Sequence, residues 1–169
     1  KSSWVRVARS RDVLLNNGVE VNALIVINDY SAQFARDIYE YHKANGIKHM
    51  QWIPAVEPDP LDPTRAAEFS VSGEAFGRFL IELFDLWVAD FRHGQPSTFI
   101  RWFDSVFYTY VGMQAPECTL LETCGIYVVV EHNGDVYSCD FFVDPEWKLG
   151  NIATDNLVEL LNSPLQEKF

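Results

Sequence analysis

The chain has 169 residues, 48% of them hydrophobic and 14% aromatic, with 13 basic against 24 acidic side chains and a net charge of -11. That length suits one domain with a real core, and the aromatic and β-branched content excludes intrinsic disorder. No apolar run approaches the roughly 20 residues of a membrane span, and so acidic a chain offers no cationic face to phosphates. Neither a membrane nor a nucleic acid is an expected partner; an acidic surface fits a cytosolic protein, or one with basic substrates.

Trp4 to Asn17 sets Trp4, Val7, Ala8, Leu14 and Leu15 on one helical face, and Asn16-Asn17-Gly18 is a helix stop. Val19 to Asn28 (VEVNALIVIN) is almost continuously apolar, the pattern of a parallel strand covered on both faces. Ser31 is placed to cap a second helix that runs to Asn45 and ends at Gly46. Ile47 to Val56 (IKHMQWIPAV) reads as the next strand. Strand, helix and strand at this spacing predict a parallel βαβ unit with a right-handed crossover.

Pro58, Pro60 and Pro63 make Glu57 to Thr64 a loop leaving that strand. Ser72 can cap a long amphipathic helix to about Phe91, with Phe76, Phe79, Leu80, Leu83, Phe84, Trp87 and Val88 as a core-packing stripe. His93-Gly94 ends it; Thr98 to Phe103 is a short strand and Asp104 to Val111 a short helix. The plan changes after Gly112. Tyr127 to Glu131 and Asp135 to Ser138 form a hairpin around Asn133-Gly134, a pair suited to the two positive-φ positions of a type I′ turn. Leu149 to Ile152 leads into a helix from Thr154 to Asn162, and Ser163-Pro164 opens another.

The expected architecture is α/β: a piece of a parallel (β/α) barrel over residues 1–112, then a small hairpin-bearing, cysteine-rich module over 113–169. Two or three parallel strands do not close a barrel of eight, and the chain begins without Met and carries no signal peptide. These features read as a piece of a longer protein.

All three cysteines fall close together, as Cys118-x5-Cys124-x9-Gly134-x4-Cys139. A loop delivers the first two thiols and the hairpin returns the third. Soft thiolates brought to one place suit an iron–sulfur cluster or another soft metal. The alternatives are a structural zinc site with His132 as fourth ligand, or three buried thiols without a ligand. Asp140, directly after Cys139, is positioned either as a general base or as a cap on a turn. Gln51 and Glu57 near the end of the second strand, and Asn22 and Asn28 on the first, are weaker candidates at the ends where α/β folds take ligands. No Gly-rich phosphate loop or Ser-His-Asp arrangement is present.

Over essentially its whole length the chain resembles the middle and C-terminal part of the anaerobic sulfatase-maturating enzymes, radical S-adenosylmethionine (SAM) proteins with a SPASM extension. The resemblance lies in Gly18 to Asn22, Lys48 to Pro54, Ile100 to Asp104 and Leu149 to Ile152, and most specifically in Cys118-x5-Cys124 followed by Gly134-Asp-Val-Tyr-Ser-Cys-Asp140. It implies a partial radical SAM barrel followed by the start of a SPASM domain. It further implies oxidation of a Cys or Ser in a sulfatase polypeptide to Cα-formylglycine, with SAM and [4Fe-4S] clusters as cofactors and a flavodoxin or ferredoxin as reductant. Cys118, Cys124 and Cys139 would be three ligands of an auxiliary cluster, Asp140 the general base, and Val26 and Val56 apolar contacts to SAM. The CxxxCxxC motif of the SAM-cleaving cluster is not among these residues, so the fragment by itself is expected to be inactive. The rivals are a different SPASM peptide-modifying radical SAM enzyme and a non-catalytic zinc module.

Overall fold

The computed structural model describes residues 3–125 and 127–169. These separate into two units, Lys1–Met113 and Gln114–Phe169. Among the described residues no helix is long and apolar enough to cross a membrane.

The first unit runs α1 (Ser3–Asn16), β1 (Asn22–Ile27), α2 (Ala35–Ala44), β2 (His49–Pro54), α3 (Gly73–Ala89), β3 (Phe99–Ile100) and α4 (Arg101–Tyr110). Its sheet is parallel in the order β1-β2-β3. Asn22 lies opposite His49 and Ile27 opposite Pro54, while β3 joins only at His49–Phe99 and Met50–Ile100. The strand expected from Thr98 to Phe103 is shortened because the chain turns directly into α4 at Arg101.

Alternation along the strands decides the core. Ile25 and Ile27 of β1, Met50 and Trp52 of β2, and Ile100 of β3 are buried against Ala35 and Tyr39 of α2 and Phe79, Leu83 and Leu86 of α3. Ser72 caps α3 as expected, its hydroxyl accepting from the Ala75 amide at 3.2 Å. The stripe on α3 divides: Phe79 and Leu83 are core, whereas Phe84 and Val88 stay exposed. Tyr39 lies under the sheet–helix layer with its hydroxyl 2.8 Å from Thr98 Oγ1 and 3.0 Å from the Asp90 carboxylate, which also pairs with Lys43.

Two expectations fail here. The first strand is not covered on both faces. Leu24 is 64% and Val26 60% exposed, because α2 and α3 lie on one side of the sheet. Ser31 does not cap α2 either. It opens a 3-10 turn, Ser31–Gln33, and pairs with the strand-end Asn28: the Asn28 amide donates to Ser31 Oγ at 2.9 Å and the Ser31 amide to Asn28 Oδ1 at 2.8 Å. The helix then starts after Phe34 without a side-chain cap.

The second unit carries β4 (Val129–Val130), β5 (Asp135–Tyr137), β6 (Lys148–Asn151), α5 (Leu157–Leu161) and α6 (Pro164–Lys168). Its sheet is antiparallel in the order β4-β5-β6. Leu149 to Ile152, read in sequence as a lead into a helix, falls for the most part in a third strand, Lys148–Asn151. Asn156 and Ser163 cap the two short helices through the amides of Val158 and Gln166.

Candidate functional site

The hairpin that carries Cys139 is built around Gly134. The Gly134 amide donates to the Glu131 carbonyl and the Glu131 amide to the Asp135 carbonyl, both at 2.8 Å, which encloses three loop residues. Gly134 has φ of +86°, whereas Asn133 is not in the left-handed region. The turn is therefore not the expected type I′, which needs two such residues. It is a three-residue loop with a single left-handed glycine. Asn133 Oδ1 instead accepts from the Asp135 amide at 3.0 Å.

Asn151 of β6 locks this turn from the side. Its Nδ2 donates to the Asn133 carbonyl at 3.2 Å and to Asp135 Oδ1 at 2.9 Å, and its Oδ1 accepts from the Ala153 amide at 2.9 Å. Val136, fully buried, anchors β5, so the chain leaving it presents Ser138, Cys139 and Asp140 in a defined place. The Ser138 amide donates to the Trp147 carbonyl at 3.1 Å. Gln166 of α6 donates through Nε2 to the Gly125 carbonyl at 3.2 Å, tethering the loop that follows Cys124.

Cys118, in a 3-10 turn, Cys124 and Cys139 all line one small recess with Thr123, Gly125, Tyr127, Ser138 and Phe169. All three are free thiols. The Tyr127 hydroxyl donates to Cys118 Sγ at 2.5 Å, and Cys139 Sγ donates to Asp140 Oδ1 at 3.4 Å. The bond to Cys118 and, after it, burial push the Tyr127 phenol far above its usual range. Burial, with the adjacent Asp140 carboxylate, also raises the Cys139 thiol. Asp140 itself is exposed.

Three free thiols at one recess are the donor type that iron–sulfur clusters and other soft metals take. His132, the fourth ligand of the zinc alternative, does not line the recess; its side chain is 92% exposed beside Glu131. The hydroxyl of Ser138, 1% exposed, has no hydrogen-bond partner. A buried donor without an acceptor costs about 1–3 kcal/mol, and a sulfur bound in the recess would satisfy it.

In the first unit Val26 lies on the uncovered face of β1, opposite Ile53, and Val56 follows the end of β2; the two are 60% and 64% exposed. Gln51 shares that uncovered face by alternation with the buried Met50 and Trp52. Asn22 and His49 pair at the opposite, N-terminal ends of the strands, so Asn22 does not belong with the strand-end group. Asn28 is engaged with Ser31, and the Glu57 amide and carbonyl with Ser70 Oγ. Sequence reading missed the roles of Tyr127, Ser138 and Asn151. A hydroxyl-bearing residue three positions after Cys124 and another immediately before Cys139 were the available signals.

Residues 118–169 match the SPASM iron–sulfur cluster-binding domain. The whole chain is 40% identical to a serine-type anaerobic sulfatase-maturating enzyme of Bacteroides thetaiotaomicron, of which it covers 43%. It is 33% identical to a cysteine-type enzyme of Clostridium perfringens, with 99% of the chain and 45% of that protein aligned. The solved structure of native anSMEcpe with bound AdoMet and Cp18Cys peptide superposes with a TM-score of 0.83 at 29% identity, over 99% of this chain and 46% of that one. The chain thus spans a little under half the length of the relatives it matches. Its cysteine module and its parallel sheet fall within one continuous likeness to the anaerobic sulfatase-maturating enzymes.

Proposed function

We propose that this chain is part of a radical SAM enzyme that oxidises a Cys or Ser of a sulfatase polypeptide to Cα-formylglycine. Residues 1–112 are the C-terminal part of its partial barrel and 113–169 the start of its SPASM domain. Cys118, Cys124 and Cys139 are three ligands of an auxiliary [4Fe-4S] cluster. The observation that carries the reading is their gathering around one recess, with the Asp140 carboxylate beside the Cys139 sulfur.

When bound, SAM supplies the radical and the clusters the electron transfer. The three cysteines would hold iron as thiolates, and a Cys139 thiolate would no longer donate to Asp140. The exposed Asp140 carboxylate, beside that sulfur, is placed to accept the proton of the substrate thiol or hydroxyl as general base. Val26 and Val56 offer apolar contact to SAM near the C-terminal ends of adjacent parallel strands, where α/β sheets take their ligands. Electrons come from a flavodoxin or ferredoxin, and the reaction is cytoplasmic.

The test is Asp140→Asn in the full-length protein. Formylglycine formation on a sulfatase peptide should be abolished while SAM cleavage remains largely intact. Equal loss of both activities would assign Asp140 a structural role. Zinc without acid-labile sulfide in the purified protein would sink the cluster assignment.

A further inference from the structure

The recess around the three cysteines carries two hydroxyls that the roles above leave unused. Tyr127 donates to Cys118 Sγ, and Ser138, buried and without a hydrogen-bond partner, lines the same recess. They reach it from different segments: Tyr127 from the chain entering β4, Ser138 from the end of β5. Both are donors, which is what sulfur at a metal centre accepts. Among the described residues, the other unpartnered buried side-chain polar atom of this unit, Gln166 Oε1, is an acceptor and does not line the recess.

We propose that Tyr127 and Ser138 are positioning residues that donate hydrogen bonds to sulfur at the cluster, Tyr127 to the Cys118 thiolate and Ser138 to a sulfur bound in the recess, and thereby raise its reduction potential. The inference rests on the cluster assignment above. Reduction adds negative charge that is spread over the sulfurs, so a donor aimed at sulfur stabilises the reduced state more than the oxidised one. Ligation by Cys118 leaves the Tyr127 bond in place and makes it charge-assisted. For Ser138 the cluster provides the acceptor that the protein withholds.

Tyr127→Phe and Ser138→Ala remove one hydroxyl each and keep the ring or nearly all of the side-chain volume. Both are made in the full-length protein, singly and together. Iron and acid-labile sulfide are measured first, then a redox titration followed by electron paramagnetic resonance, reading the component that Cys139→Ala abolishes. Full iron and sulfide with a midpoint potential shifted negative in each variant, and further in the double variant, is the expected result. Full iron with unchanged potentials in both single variants overturns the inference and leaves the cluster assignment standing. Should Tyr127→Phe lose its iron, the potential of Ser138→Ala decides in the same way. Iron without sulfide in the unaltered protein overturns the assignment and the inference with it.

Discussion

Replacement of Gly134 by Ala tests how the hairpin is held. At φ of +86° an L-residue is strained, by about 1–2 kcal/mol. A Cβ built there also meets Asn151 Oδ1 at 2.9 Å and Nδ2 at 3.3 Å, so Asn151 must shift. That shift breaks its bonds to the Ala153 amide and the Asn133 carbonyl, each worth about 0.5–1.5 kcal/mol. The total is about 2–5 kcal/mol, a large share of the roughly 5–15 kcal/mol that stabilises a domain. Hydrogen exchange at the backbone amides of β5 and β6 reads this directly. Protection should fall by roughly 30-fold to several thousand-fold, since each 1.4 kcal/mol is a factor of ten. In an Asn151→Ala background the same substitution should cost only the backbone part, about 1–2 kcal/mol. Protection within threefold of the parent in Gly134→Ala would refute both the strain and the close-approach arguments.

Phe79→Ala, at a side chain 1% exposed and packed on Trp52 and Phe76, should cost about 3–5 kcal/mol in denaturant unfolding. A loss under about 1 kcal/mol would mean that the core can collapse around the gap. Asp90 predicts an acid effect. Burial works to raise its carboxyl, but hydrogen bonds from Lys43 and Tyr39 outweigh that and hold its pKa below the usual value. A carboxyl depressed in the folded state stabilises above its unfolded pKa of about 3.9, and the contribution is lost as pH falls through the folded pKa. Asp90→Asn should therefore lower stability at pH 7 and flatten its decline below about pH 4. An acid limb identical to the parent's would show that the Lys43 and Tyr39 contacts contribute nothing.

Much of the first unit was legible because period and punctuation agree. The almost continuous apolar run from Val19 to Asn28, the Ser72 cap and the helical spacing of Phe79 and Leu83 each report local physics that the tertiary structure leaves intact. Where the reading failed, competing partners intervened, some of them only two or three residues away. Asn28 captured Ser31 before it could cap α2. Gly134 alone took the left-handed position, because a three-residue loop needs one such residue and Asn133 was drawn to the Asp135 amide. Lys148 to Asn151 carry no β-branched run, and only pairing with β5 makes them a strand.

The sequence by itself determined the α/β plan, the parallel order of its first strands and the chemical identity of the thiols. Those follow from residue type and spacing. Tertiary structure decided which face of β1 is left uncovered, that the three thiols share a recess, and that His132 lies exposed outside it. It also decided that Tyr127 and Ser138 belong to that recess. The reason is physical: whether a side chain is buried, and what it donates to, depends on segments far along the chain, and no local pattern encodes that meeting.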